Sequence, residues 1–327
     1  MAEISYIQAI NAAMKEEMER DENVFIVGED VGGKGGVFRA TDGLYQTFGE
    51  DRVIDAPLAE SAIVGVGIGS AMYGMRPIAE IQFADFIMPA VNQIVSEAAK
   101  IRYRSNNDWN CPITIRAPYG GGISGALYHS QSVEAMFNSH PGLKIVMPST
   151  PYDAKGLLKA AIRDNDPVLF FEHKRAYRLL KEQVPEDDYV IPIGKADVKR
   201  EGTDVTVITY GLCVQFAKQA ANRLEKEGID VHILDLRTVY PLDQKSIIEA
   251  ASKTGKVLLI TEDNKEGSII GEVAAIIAEH CLFELDAPIR RLAAPDVPAM
   301  PFAQPLENAF MVNEEKIEQA IRDLAIF

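Results

Sequence analysis

Residues 52–80 read RVIDAPLAESAIVGVGIGSAMYGMRPIAE, and two different patterns alternate within them. The segments at 52–60 and from residue 76 onward are short and contain apolar stretches, as expected of strands. Between them, residues 61–74 are almost all small or apolar, which predicts a closely packed helix. A strand, a helix and a second strand in this order are typical of two parallel strands joined by a crossover helix.

The same alternation of strand and helix patterns continues along the 327 residues. Continuous apolar strands between helices predict an α/β fold with two αβα domains and mainly parallel sheets covered on both faces. A chain of this length is longer than a single hydrophobic core usually supports. Polar, proline-bearing sequence separates two series of elements, so we predict a first domain at 1–185, a linker at 186–200 and a second domain at 201–327.

Two helix starts carry clear local signals. Ser5 followed by Gln8 predicts a capping box, in which each side chain bonds the other residue's backbone. Thr150 followed by Pro151 and an early acid, Asp153, predicts a second helix start. Both signals lie where an apolar helical pattern begins.

Composition and charge narrow the classes of function. The formal net charge is −15, which disfavours nucleic acid and anionic membranes as partners and favours a basic protein surface. No stretch of about 18 uncharged apolar residues occurs, so we expect no transmembrane helix. The acidic N-terminal sequence predicts no signal peptide, and three widely spaced cysteines predict reduced thiols in the cytoplasm. The five histidines lack the spacing of a zinc site.

Glu60 is the first candidate functional residue. It ends a predicted strand and faces the apolar start of the following helix. An ionised carboxylate there would be desolvated, which favours a carboxyl group that holds or shares a proton. The alternative is a structural role, in which the negative charge of Glu60 stabilises the helix N-terminus.

Two glycine-rich stretches resemble nucleotide-binding motifs only in part. Residues 28–35 nearly match the phosphate loop GxxxxGK[ST], but glycine stands at position 35 in place of the hydroxyl residue. A flexible surface or interface loop is the better interpretation. The glycines at 65, 67 and 69 do not match GxGxxG, and they lie within a helical pattern, so a dinucleotide site is not predicted.

His129 is the second candidate. It follows the strand PITIRAP and the glycine-rich loop 120–125, at the carboxyl end of a strand where ligands bind in parallel sheets. A histidine there suits general acid–base catalysis at neutral pH. A solvated loop residue is an equally good interpretation of this spacing.

Many ordered blocks of the sequence carry a resemblance to a known family: EDVGGKGGVFRAT, DAPLAES, EIQFADF, IRYRS, TIRAPYGGG, LYHSQS, PSTPYDAKGLL and DLRTVYPLD. Together they resemble the beta chain of thiamine-diphosphate-dependent 2-oxo acid dehydrogenases, the decarboxylating component of the complex. The version ALYHSQSVEAMF is more similar to branched-chain enzymes than to pyruvate enzymes, and acetoin dehydrogenases are a third possibility. The resemblance implies a transketolase-like architecture, with a pyrimidine-binding domain followed by a transketolase C-terminal domain.

The resemblance also implies roles for individual residues. Glu60 would contact the ring nitrogen of the cofactor's aminopyrimidine, and Leu58, Gln82 and Phe86 would line the pyrimidine pocket. His129 would lie in the substrate channel and help transfer the acyl group to lipoamide. A structural potassium ion would be held by backbone carbonyl groups of five residues, one of which departs from the family's asparagine: Ile113, Ala161, Ile162, Asp164 and Asp166.

The family's magnesium and diphosphate motif, GDG followed by an asparagine pair, is absent here, and TDGLY at Thr41 is the nearest string. The resemblance therefore implies that an alpha subunit supplies the magnesium site, in a heterotetramer of two alpha and two beta chains. Further expected partners are the dihydrolipoyl transacylase core and a branched-chain 2-oxo acid. A pyruvate or acetoin dehydrogenase, a non-catalytic assembly subunit and an unrelated nucleotide-binding protein are the alternatives.

Overall fold

The computed structural model describes residues 1–327. The chain divides into two compact units. The first comprises Met1–Tyr119 and Met136–Ile193, and the second comprises Gly120–Ala135 and Gly194–Phe327. The segment that carries His129 is therefore grouped with the second unit, although the first unit resumes after it in the sequence.

The strands of the first unit are β1 (Ala2–Ser5), β2 (Val24–Gly28), β3 (Val53–Asp55), β4 (Arg76–Glu80), β5 (Thr114–Tyr119), β6 (Lys144–Val146), β7 (Val168–His173) and β8 (Lys181–Val184). The helices between residues 1 and 193 are α1 (Tyr6–Arg20), α2 (Leu44–Phe48), α3 (Glu60–Met72), α4 (Ile101–Arg104), α5 (Glu134–Asn138), α6 (Pro151–Arg163) and α7 (Ala176–Leu179). Six strands lie side by side in the order β6-β7-β5-β4-β2-β3, and all neighbours are parallel. β1 and β8 form a separate antiparallel pair.

The predicted helix starts are confirmed. The Ser5 backbone N–H donates to Gln8 Oε1 at 2.8 Å, and the Gln8 N–H donates to Ser5 Oγ at 3.4 Å, which completes the capping box of α1. At the start of α6, Thr150 Oγ1 accepts the N–H of Asp153 at 3.0 Å, and Pro151 occupies the first turn. Each bond satisfies a backbone group that the helix itself leaves unpaired.

Between β4 and α4 the chain follows irregular helical turns. A 3-10 segment at Ala84–Ala90 contains Pro89, a π turn covers Gln93–Glu97, and a second 3-10 turn covers Ala98–Lys100. Proline cannot donate the hydrogen bond of a regular helix, which accounts for the first irregularity. Short π segments within helices are frequent near functional sites.

The second unit contains β9 (Asp197–Arg200), β10 (Val205–Thr209), β11 (Val231–Asp235), β12 (Thr238–Tyr240), β13 (Val257–Asn264) and β14 (Arg290–Ala294). Its helices are α8 (Cys213–Leu224), α9 (Gln244–Thr254), α10 (Ile269–Cys281), α11 (Gln304–Phe310) and α12 (Glu314–Ala325). Five strands form a sheet in the order β14-β13-β10-β11-β9, in which only β9 runs antiparallel to its neighbour. The predicted α/β class with mainly parallel sheets is confirmed.

The region predicted as a linker differs from that prediction in one respect. Residues Asp197–Arg200 form β9, which pairs with β11 at the edge of the second sheet. Edge strands commonly carry charged side chains that discourage pairing with other chains, and the sequence DVKR fits that description. Because of this polar composition, the sequence pattern did not predict the strand. No helix of the chain combines the length and apolar composition required to cross a membrane.

Candidate active site

The predicted pyrimidine-site residues of the first unit follow two strands of its sheet. β2, β3 and β4 are parallel neighbours, and Gly28 pairs with both Asp55 and Glu80 at their carboxyl ends. Glu60 lies beyond β3, and Gln82 lies two positions beyond β4. The carboxyl ends of parallel strands form one edge, at which ligands bind in folds of this class.

Glu60 is the first residue of α3 and is half-buried. No side chain caps this helix, so the backbone N–H groups of its first turn present partial positive charge to the carboxylate. Burial first, and then the negative charges of Asp30 and Glu60, raise the pKa of Glu29, while Lys34 opposes them. Glu60 therefore occupies a helix start, the position that the structural alternative expected, and its charge also acts on Glu29, which the sequence did not predict.

Gln82 is held by the residues that follow β2. Its Nε2 donates to Asp30 Oδ2 at 3.2 Å and to the Glu29 carbonyl at 3.5 Å. A hydrogen bond from Lys34 at 2.7 Å lowers the pKa of Asp30, and the bond from Gln82 acts in the same direction. The amide of Gln82 is thus oriented by an ionised carboxylate at the sheet edge.

Aromatic side chains lie beside this edge. The ring of Phe86 is half-buried and packs edge-on against Phe83, with centroids 5.5 Å apart, and Phe83 packs in turn on Phe38 at 5.3 Å. Leu58 is 71% exposed. Three of the four predicted pocket residues are therefore half-buried, and the fourth lies on the surface of this chain.

The glycine-rich loop after β2 is fixed by specific contacts. The Gly32 N–H donates to Asp55 Oδ1 at 2.6 Å, and the Gly36 N–H donates to the Asp30 carbonyl at 2.8 Å. Gly36 has φ of +82°, which suits glycine, and an added Cβ there would lie 3.4 Å from Glu80 Oε1. The loop thus returns to the carboxyl ends of the strands, where it contributes to the site edge.

A buried charged cluster supports the same edge. Arg116 is fully buried and binds Glu172 through two hydrogen bonds of 2.6 and 2.7 Å, and Glu80 through one of 2.6 Å. Tyr177 donates its hydroxyl hydrogen to Glu172 at 2.6 Å. Burial raises the pKa of Glu80, which Arg116 opposes. Burial alone would lower the pKa of Arg116, but the charges of Glu172 and Glu80 raise it above its ordinary value.

The second unit positions His129 in a closed loop. The Gly120 N–H donates to the Gln131 carbonyl at 3.1 Å and joins the two ends of the loop. His129 is half-buried and directly follows a 3-10 turn at Ala126–Tyr128. The Gly121 N–H donates to Glu262 Oε1 at 2.6 Å. The loop is therefore anchored within its own unit rather than flexible along its length.

A second buried carboxyl lies immediately after this loop. Tyr210 donates its hydroxyl hydrogen to Glu134 Oε1 at 2.8 Å, and the same hydroxyl is 2.7 Å from Thr261 Oγ1. Burial, and then the negative charge of Asp263, raise the pKa of Glu134 to about 8. Burial likewise raises the pKa of Asp263 to about 6. Protonated carboxyls near neutral pH are characteristic of functional sites, although structural clusters also produce them.

Four of the five carbonyl groups predicted to hold potassium already accept a hydrogen bond from the protein. Arg76 Nη1 donates to the carbonyls of Ile162 and Asp164 at 3.0 and 2.9 Å. The Ile113 carbonyl accepts from Val168 N–H at 3.0 Å, and the Ala161 carbonyl accepts from Asp164 N–H at 3.2 Å. A carbonyl oxygen has two lone pairs, so a bound ion would share these oxygens with the guanidinium or displace it. The potassium site stays a prediction.

Several residues at these sites were not predicted. Glu29 and Asp30 directly follow β2, and the position of a carboxyl after a buried strand could have identified them. Glu262 and Glu134 are recognised only from contacts between distant parts of the chain. The structure groups Leu58, Glu60, Gln82 and Phe86 in the first unit and His129 in the second.

Comparisons with known proteins cover the whole chain. The model of the transketolase pyrimidine binding domain matches residues 2–179, and that of the transketolase C-terminal domain matches residues 194–317. A solved structure described as a split gene transketolase, inactive beta4 tetramer, matches with a TM-score of 0.79 and 21% identity, over 99% of this chain and 98% of that one. At this identity the likeness shows the fold alone. The predicted transketolase-like architecture is confirmed.

Curated relatives are similar at much higher identity. The 2-oxoisovalerate dehydrogenase subunit beta of Bacillus subtilis (strain 168) is 78% identical over 327 residues, which is 100% of both chains. The pyruvate dehydrogenase E1 component subunit beta of the same strain is 48% identical over the same length. The corresponding pyruvate dehydrogenase subunit of Staphylococcus epidermidis is 47% identical over 98% of both chains.

Proposed function

Because the chain belongs to the family of 2-oxo acid dehydrogenase beta subunits with transketolase-type domains, we propose that it acts in the oxidative decarboxylation of branched-chain 2-oxo acids. Its substrates would be 3-methyl-2-oxobutanoate and its relatives, and the acyl group would pass to lipoamide. The observation that carries this choice is the 78% identity to a 2-oxoisovalerate dehydrogenase subunit, against 48% to a pyruvate dehydrogenase subunit of the same strain.

The residues at the edge of the first sheet suit the pyrimidine half of thiamine diphosphate. Glu60 offers a half-buried carboxyl, Phe86 an aromatic face and Leu58 an exposed apolar surface that a ligand or partner would cover. When bound, the cofactor supplies the electron sink for loss of carbon dioxide. In this proposal Glu60 holds a proton at the pyrimidine ring nitrogen, and Gln82 and Phe86 fix the orientation of the ring.

The arrangement around Glu60 supports proton exchange there. The charge of Glu60 helps raise the pKa of its neighbour Glu29, so Glu29 retains its proton at higher pH than it would in water. The buried pair of Arg116 and Glu80 fixes the end of β4, which precedes Gln82. A rigid edge of this kind holds the reacting groups in place without reorganisation.

The outward face of α3 supports the proposed alpha subunit. Ile63 and Val64 are buried within the first unit, whereas Val66 is 54% exposed and Tyr73, at the helix end, is 92% exposed. A helix that is apolar on all sides is normally covered on all sides. We propose that the alpha subunit covers this face and supplies the magnesium and diphosphate site, in a heterotetramer of two alpha and two beta chains.

Further proposals concern the setting of the complex. The net charge of −15 supports engagement of a basic surface on the dihydrolipoyl transacylase core. Three buried cysteines without disulfides support a cytoplasmic setting: Cys111, Cys213 and Cys281. We also propose a pyrimidine-binding domain at 1–185, a linker at 186–200 and a transketolase C-terminal-like domain at 201–327.

The test is an assay of the purified alpha–beta pair with 2-oxoisovalerate, pyruvate and acetoin. We expect the highest kcat/KM with 2-oxoisovalerate. Inactivity on that substrate, with turnover of pyruvate or acetoin, would overturn the choice in favour of the second family activity. Binding of a nucleotide by the chain without a partner would support an unrelated function instead.

A further inference from the structure

Glu307 is a buried carboxylate whose two oxygens are both engaged with the loop that carries His129. It lies on α11 and is fully buried within the second unit. Its Oε1 accepts the backbone N–H groups of Gly122 and Ser124, each at 3.1 Å. Its Oε2 accepts from Ser124 Oγ at 3.3 Å and from Gln304 Nε2 at 3.2 Å. A buried carboxylate requires such donors, because its charge is otherwise unsolvated.

The loop backbone is shaped to meet this carboxylate. Gly122 has φ of +79°, and Ser124 has φ of +56°, which is uncommon for a residue other than glycine. When residues with left-handed and right-handed backbone conformations alternate, their N–H groups point toward one position and form a concave anion-binding nest. The strained conformation of Ser124 is therefore accounted for by the bond that its N–H makes with Glu307.

The anchored backbone is in direct contact with His129. An added Cβ on Gly125 would lie 2.7 Å from the His129 carbonyl oxygen and 2.9 Å from the His129 Cβ, so these two residues are in close packing contact. Gln131 Nε2 donates to the Leu127 carbonyl at 2.9 Å and closes the turn before His129. A displacement of Ser124 would thus be transmitted to the histidine through Gly125.

We propose that Glu307 is a positioning residue for acyl transfer. By accepting hydrogen bonds from the N–H groups of Gly122 and Ser124, it fixes the loop and thereby the imidazole of His129. This inference rests on the proposed function, since it assigns His129 to the acyl-transfer step. Glu262, which accepts the Gly121 N–H, restrains the beginning of the same loop. Glu307 touches no reacting atom in this proposal and acts only through the position of His129.

The experiment uses the assembled alpha–beta complex and two rates. One is decarboxylation with an artificial electron acceptor, and the other is acylation of lipoamide. We expect Glu307→Ala to lower the ratio of acylation to decarboxylation by about 10- to 100-fold, because small misplacement of a catalytic group has effects of this size. Glu307→Gln keeps an acceptor oxygen and should retain most of the wild-type ratio. Glu315→Ala, at an exposed position on α12, is the matched control.

A double variant separates positioning from general structural damage. If Glu307 acts through His129, Glu307→Ala should cause little further loss of acylation in a His129→Ala background. An additive loss, or an equal loss of both rates, would overturn the proposal. Should Glu307→Ala not assemble, Glu307→Asp keeps the charge, withdraws the oxygens from the loop and should lower the same ratio.

Hydrogen exchange distinguishes failure of this inference from failure of the proposed function. The amides of Gly122 and Ser124 should exchange faster in Glu307→Ala than in wild type, and near the wild-type rate in Glu307→Gln. If the wild-type complex turns over no 2-oxo acid, the proposed function fails and the assignment of His129 fails with it. If turnover is normal but these amides exchange equally in all variants, only the role of Glu307 is refuted.

Discussion

Glu60, at the start of α3, helps raise the pKa of Glu29, the residue that follows β2. Burial of Glu29 is the larger cause, and the negative charges of Asp30 and Glu60 add to it. The two carboxyls belong to neighbouring strand–helix units and interact at one edge of the sheet. The charge of Glu60 therefore favours the protonated form of Glu29.

Glu60→Gln should strongly lower the rate of decarboxylation by the reconstituted complex while leaving assembly intact. We expect a loss of about 100-fold or more, because proton transfer by a positioned side chain contributes that much in other enzymes. In the free chain, the same change should lower the pKa of Glu29, measured by NMR titration, since one neighbouring negative charge is removed. Glu50→Gln, at an exposed loop position, is the control. Full activity in Glu60→Gln would favour a non-catalytic assembly role.

His129→Ala should impair acyl transfer more than the first decarboxylation. The proposed role of His129 is proton donation during transfer to lipoamide, a contribution of about 100-fold or more. The two steps are compared by lipoamide acylation and by reduction of an artificial acceptor. His280→Ala alters an exposed histidine at the end of α10 and should change neither rate. Equal losses in the two assays would contradict the assigned step.

Glu134→Gln should make the stability of the protein less dependent on pH. The pKa of Glu134 is raised from 4.5 to about 8, so between these values the folded chain retains a proton that the unfolded chain has released. Stability then falls as pH rises through this window, and the raised pKa of Asp263 acts in the same direction up to about pH 6. At pH 8 we expect Glu134→Gln to be more stable than wild type by roughly 1–3 kcal/mol.

Thermal unfolding between pH 5 and pH 9 measures this effect. Glutamine keeps the oxygen that accepts from Tyr210, so the hydrogen bond survives the substitution. The groups that face Glu134 are unchanged, one directly after β10 and two on β13: Tyr210, Glu262 and Asp263. Glu315→Gln on the exposed face of α12 should reproduce the wild-type curve. Parallel curves for Glu134→Gln and wild type would show that Glu134 does not titrate in this range.

Arg76→Ala should increase the effect of potassium on stability. In wild type the guanidinium of Arg76 donates to the carbonyls of Ile162 and Asp164, two of the predicted potassium ligands. Without it, an ion present at 100 times its dissociation constant would add about 2.7 kcal/mol. The measurement is the difference in Tm between KCl and NaCl at equal ionic strength, taken within each variant. Arg104→Ala removes an exposed ion pair with Glu97 and serves as control. A smaller potassium effect in Arg76→Ala than in wild type would refute competition.

The sequence predicted those features that depend on neighbouring residues. Ser5 with Gln8 and Thr150 with Pro151 identified two helix starts, because caps are local hydrogen bonds. The order of apolar strands and helices predicted mainly parallel sheets, since burial on both faces leaves a continuous apolar run. The charged strand β9 was not predicted, because an edge strand is exposed to solvent much as a loop is.

The features that escaped prediction depend on distant contacts. Glu307 binds Gly122, which lies 185 positions earlier, and no local pattern indicates that pairing. The sequence also did not predict that Leu58 is exposed, because large apolar side chains are more often buried. Glu60 was selected for its apolar sequence neighbours, yet its charge acts on Glu29, which follows a neighbouring strand.

The outward surface of α3 has a consequence for how this polypeptide is produced. A copy synthesised without the proposed alpha subunit exposes Val66 and Tyr73 to solvent, and exposed apolar surfaces of this kind bind chaperones or aggregate. If the alpha subunit covers α3 as proposed, synthesis of both subunits together would bury that surface soon after translation. Co-expression should therefore yield more dispersed material than expression of this polypeptide by itself, with light scattering as the readout.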